Sequence, residues 1–154
     1  MEWRDGLRTF RKSIGDHLAK KGFRYRNGSW RREGAFWRHS FSIEVQPTKA
    51  GTRKVYAFPS LWWEQLQNRI PNELARIYPP SDFDYLIHYI RHYSEDVIQV
   101  SVLSPEDLSS LSVSWVKALD EDWLPWMEDH DTADRQGAYQ SIEYRHIGLR
   151  GKEI

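Results

Sequence analysis

Phe23-Arg24-Tyr25-Arg26-Asn27-Gly28-Ser29-Trp30-Arg31-Arg32 is the stretch that decides how this chain is read. Asn-Gly is the strongest short signal for a two-residue hairpin turn, because both positions accept the positive φ that matches the twist of the flanking strands. Aromatic and basic residues sit on both sides of that turn, so a β-hairpin is predicted. Working back from it, Leu7, Phe10, Ile14 and Leu18 recur at steps of three and four, which predicts an amphipathic helix from about Trp3 to Lys21. Lys20 and Lys21 suit the negative end of the helix dipole, and Gly22 supplies its stop. Working forward, Trp37, His39, Phe41, Ile43 and Val45 alternate with Arg38, Ser40, Ser42, Glu44 and Gln46, the pattern of a half-buried strand within Ala35 to Gln46. Pro47 to Gly51 reads as a loop and Val55 to Phe58 as the next strand.

The period then changes. Trp62 to Ile77 reads as one or two short helices broken around Pro71, and Pro79-Pro80 forces an extended connection. Ser81 caps a helix whose apolar stripe is Phe83, Leu86, Ile87, Ile90 and Tyr93, with Asp82 and Asp84 in its first turn. Ile98, Val100 and Val102 suit a last strand, with a short helical extension as the alternative. Ser104-Pro105-Glu106-Asp107 is a helix start, and Leu108, Leu111, Trp115 and Leu119 supply its buried face. Tyr139, Ile142 and His146 suggest a terminal helix. The expectation is one α+β domain over residues 1–154, an antiparallel sheet of about four to five strands packed against the N-terminal helix and C-terminal helices.

Composition bounds the function. Hydrophobic residues make up 40% of the chain and include 8 Trp, which is too rich in large apolar groups for a disordered chain. The absence of cysteine excludes disulfides, thiolate metal sites and thiol nucleophiles, and fits a reducing compartment. Met-Glu-Trp-Arg-Asp lacks a secretion pattern and no apolar run approaches the ~20 residues that span a bilayer, so a soluble, cytoplasmic protein with no membrane contact is expected. Net charge is zero but sorted. Residues 1–58 carry 14 Lys and Arg against 5 Asp and Glu, whereas residues 81–134 carry 2 against 13. Such blocks steer oppositely charged partners without specifying a fold.

The run Phe10…Leu18…Lys21-Gly22-Phe23-Arg24…Ser29-Trp30-Arg31-Arg32, the strand Trp37–Gln46 and the later Leu124-Pro125-Trp126-Met127-Glu128 resemble an uncharacterised bacterial family, domain of unknown function 4304. The resemblance covers the two ends better than residues 61–103. It implies an amphipathic helix, a Lys-Gly-Phe turn and a basic, aromatic hairpin, and transfers no catalytic residue. Some small bacterial families of this type are immunity proteins of secreted toxins.

Three kinds of site come into question. His88 and His92 share a helix face at metal-pair spacing, but they lack the zinc-protease Glu and a third ligand, so they read as surface residues. Glu128-Asp129-His130-Asp131 gathers potential ligands that adjacent positions cannot converge, and His39 reads as a hydrogen-bonded core or groove histidine. No nucleophile elbow or phosphate-cradling loop is present, so no enzyme, no cofactor and no metal are expected. The acidic segment mixes Asp120, Glu121, Asp122, Glu128, Asp129 and Asp131 with Trp123 and Trp126, the composition of a surface that docks on a basic protein. The leading expectation is a bacterial immunity or antitoxin-like inhibitor binding a basic toxin through that segment. The alternative is a single-stranded nucleic-acid-binding domain using Arg24, Arg26, Arg31, Arg32 and Arg38, which interleave with Tyr25, Trp30 and Trp37, the two tryptophans themselves reading as core by strand alternation.

Overall fold

The computed structural model describes residues 1–62, 76–77 and 98–133. Of the helices predicted over residues 62–77, 81–93 and 139–146, the described ends of the first are corrected to strand, Trp62 closing one strand and Arg76–Ile77 forming another; the rest, with His88 and His92, lies outside the described residues. Helix α1 (Trp3–Lys20) buries Phe10, Ile14 and Leu18. Its end is closed by Gly22 N–H on Ala19 O and Phe23 N–H on Leu18 O, with Gly22 at φ +90°. That paired termination satisfies two carbonyls the helix would otherwise leave open. It also sets the chain's entry into β1 (Arg24–Arg26), which pairs antiparallel with β2 (Ser29–Glu33) through a turn whose Asn27 and Gly28 both have positive φ.

β2 pairs with β3 (Arg38–Pro47), and β3 with β4 (Arg53–Trp62) over ten residue pairs. β5 (Arg76–Ile77) and β6 (Ile98–Val102) both pair antiparallel with the far side of β4, at Leu61–Trp62 and at Arg53–Ala57. The α+β class with an antiparallel sheet, an N-terminal helix and later helices is as expected. β4 runs four residues past its predicted end. Pro59 lies inside that strand, paired with Phe41 of β3. β3 starts at Arg38, because Ala35, Phe36 and Trp37 are drawn into a turn. Trp37, His39, Phe41 and Ile43 do face the core, but Ser40, expected in water, is buried opposite Ser60.

Helix α2 (Asp107–Ala118) starts two residues inside the predicted signal, with the Asp107 carboxylate accepting from Ser104 N–H. It runs through a wide π turn (Leu119–Trp123) into α3 (Leu124–His130). Leu124 N–H bonds Leu119 O, five residues back. The widened turn precedes Pro125, whose ring would clash with a carbonyl four residues earlier in an ordinary helix. Phe41 sits at the centre of the core, 5.6 Å from Trp123, 6.3 Å from Trp115 and 6.3 Å from Trp30, while Phe10 lies edge-on to Trp115 at 5.2 Å. Aromatic pairs of this kind add about 0.5–1.5 kcal/mol each beyond their buried area. Among the described residues no helix is long and apolar enough to cross a membrane.

Candidate functional site

The hairpin is short and its charge has nowhere inward to go. All three residues of β1 are exposed. Arg24 stands opposite Arg31, and Glu33 opposite Arg38. Together with Arg26, Arg32, Gly22 and Asn27 they line one open concavity of about 520 Å³. All five arginines singled out in the sequence therefore meet, with Glu33 the lining carboxylate among the described residues. Arg31 Nε donates to Ser29 Oγ (2.8 Å), and Arg38 Nε to Glu33 (2.7 Å). Trp30 and Trp37 are buried in the core, as strand alternation predicts, and Trp37 Nε1 donates to Thr132 O. Tyr25 is the hairpin aromatic that stays outside, 59% exposed and edge-on to Trp30 at 5.0 Å.

Arg32 is engaged on every side. Its Nη1 donates to Lys21 O (2.9 Å), its Nη2 meets Glu128 at 3.3 Å, its Nε donates to His39 Nδ1 (2.9 Å), and its guanidinium lies 4.6 Å over the Phe23 ring. His39, 4% exposed, is joined through Nε2 to Asp131 Oδ2 at 2.8 Å. The same carboxylate accepts the N–H groups of Ala35, Phe36 and Trp37 at 2.7–2.8 Å. Asp131 thereby clamps the β2–β3 turn to the end of α3. Burial and the neighbouring Arg32 charge hold the His39 pKa below its ordinary value, against the opposing pull of the Asp131 bond. Burial alone would push the Asp131 carboxyl up, yet the bonds from Phe36 N–H, His39 and Trp37 N–H outweigh it and leave its pKa lowered. Gly34 explains how the turn passes so close, because a Cβ there would sit on Asp131 Oδ2 and within 2.5 Å of His39 Nε2.

The acidic segment is divided by this packing. Trp123, expected on a docking surface, is 8% exposed and stacked in the core, and the Asp131 side chain is 6% exposed. Those two positions are corrected from partner-binding to structural. Trp126 packs partly buried against the core and stacks on His130. Asp120 meets His17 at 2.7 Å and Lys21 at 3.8 Å, and Glu128 meets Arg32, so both face the basic half of the same chain. Glu121, Asp122 and Asp129 are exposed. Glu128, Asp129, His130 and Asp131 do not converge, and no group of three potential metal ligands forms among the described residues.

The burial of Asp131 has a signal in the sequence. Trp115, Leu119, Trp123, Met127 and Asp131 recur every four residues, and the first four are all buried. Asp131 thus ends the apolar stripe rather than belonging to the solvated face. The closeness of Gly34, His39 and Asp131, by contrast, joins positions more than ninety residues apart and has no local signature. No family model matches the chain, and neither does any curated protein or solved structure compared with it.

Proposed function

We propose that this protein is a non-catalytic binding module whose ligand is a single-stranded nucleic acid held in the arginine-lined concavity. The observation that carries the reading is the gathering of five arginines around one open surface on which, among the described residues, Glu33 is the lining carboxylate. Guanidinium forks match phosphate oxygens in geometry as well as charge. Arg24 and Arg26, two residues apart on one strand face, stand about 6.7 Å apart along the chain, a spacing an extended phosphodiester strand can follow.

Binding to a labelled oligothymidylate, followed by fluorescence anisotropy, is expected to weaken steeply with salt. The double substitution Arg24→Ala and Arg26→Ala should lower the slope of log K against log[salt] by about 1.4, about 0.7 for each phosphate that no longer has its cation. Absence of retention by the unsubstituted protein at low salt ends the proposal. The inhibitor reading draws on the exposed Glu121, Asp122 and Asp129. It has less geometric support, because Asp120 and Glu128 meet cations of the same chain and Asp131 is enclosed.

A further inference from the structure

The hydrogen bonds around His39 fix its tautomer. Arg32 Nε always carries a hydrogen and never accepts, so Nδ1 must offer its lone pair. An ionised Asp131 accepts and never donates, so Nε2 carries the proton. His39 is therefore neutral in this arrangement, with a guanidinium at one nitrogen and a carboxylate at the other. A proton added at Nδ1 would set one N–H against another.

We propose that His39 is a proton-sensitive positioning residue of the basic concavity: neutral, it fixes Arg32 through Nδ1, and protonated there, it frees Arg32 Nε and adds a charge behind the site. A phosphate-bearing strand then binds more tightly in acid. The proposal rests on the nucleic-acid reading of the concavity. The charged groups around His39 come from three elements. Arg32 on β2 opposes its protonation, whereas Asp131 beyond α3 and Glu128 on α3 favour it. On its own strand Arg38 lies next to it in sequence, already engaged by Glu33. With Asp131 ionised by its three backbone N–H donors, the protonated imidazole becomes half of an enclosed ion pair rather than an isolated buried charge. Linkage makes the effect reciprocal, so a phosphate that draws Arg32 outward raises the proton affinity of His39.

The first test needs no ligand. Long-range ¹⁵N–¹H spectra at neutral pH should show the Nε2–H tautomer of His39, and the Arg32 Nε–H resonance should move as His39 titrates. The second compares the protein with His39→Gln, whose amide keeps one acceptor and one donor but takes up no proton. Affinity for dT12 at fixed salt, where neither phosphodiester nor thymine titrates, should rise about fivefold from pH 7.5 to 5.0 in the unsubstituted protein, as one added charge close to the strand dictates. His39→Gln, whatever its affinity at pH 7.5, should lose that gain. Because His39→Gln leaves every other histidine in place, the difference isolates His39.

An equal acid gain in both proteins, or an Nδ1–H tautomer, overturns the proposal. The failures separate cleanly. If dT12 binds at no pH, the nucleic-acid function falls and the acid gain with it, while the Arg32 resonance still decides whether His39 positions that guanidinium. If dT12 binds with the same pH response in both proteins, the His39 role alone falls.

Discussion

The basic hairpin around Arg24–Arg32 and the acidic segment Asp120–Asp131 are equally conspicuous in sequence, yet the fold uses them in opposite ways. The hairpin is a two-strand edge, and its charged side chains stand around an open concavity. The acidic segment is a helix with one face against the core, so the four-residue repeat that buries Trp123 and Met127 carries Asp131 inward with them. Charge density along a chain is therefore not charge density on a surface. What decides is the period of the element that carries the charge and how many of its faces are packed. The exposed pairs formed between the two halves add little stability, in keeping with surface ion pairs in general.

That contrast can be broken by substitution. Trp123→Ala removes a ring stacked on Phe41 and edge-on to Trp115, and should cost about 4 kcal/mol in urea unfolding. A docking-surface tryptophan would cost far less. Asp131→Ala leaves three backbone N–H groups and the His39 ring without their acceptor, and a destabilisation of about 3 kcal/mol is expected. The exposed neighbour Asp129→Ala should stay within about 0.5 kcal/mol. Equal costs at the two positions would erase the distinction drawn between them.

Acid sharpens the same comparison. His39 has its pKa lowered in the fold, so the unfolded chain binds more protons and stability falls as pH drops below the ordinary value of 6.5. The lowered pKa of Asp131 acts in the same direction further down, its contribution being complete above 3.8 and lost as pH falls below that value. Urea midpoints measured from pH 7.5 to 3 should therefore decline in two stages, and His39→Gln should flatten the first. The smallest effect is reserved for the outward carboxylates. Glu121→Gln, Asp122→Asn and Asp129→Asn together should leave stability within about 0.5 kcal/mol. They should also leave retention on a basic protein surface unchanged if the concavity is the working site, and weaken it if the acidic segment is.

Much of this molecule is legible from local pattern. The helix from Trp3, the stop at Gly22, the primed turn at Asn27-Gly28, the alternation through Phe41 and Ile43, the strand at Ile98 and the stripe through Leu108, Trp115 and Leu119 all follow from residue type and spacing, because backbone preference and face periodicity act over a few neighbours. The gathering of Arg24, Arg26, Arg31, Arg32 and Arg38 is equally within reach, since a hairpin and the next strand bring them together by pairing alone. Tertiary structure decided what no short window contains. Asp131 became a clamp because Gly34 and His39 stand where α3 ends. Arg32 became an anchored group because Lys21, Glu128 and His39 arrive from three different elements. Each of these rests on contacts between residues distant along the chain, and such contacts exist only once the core has closed and fixed which faces meet.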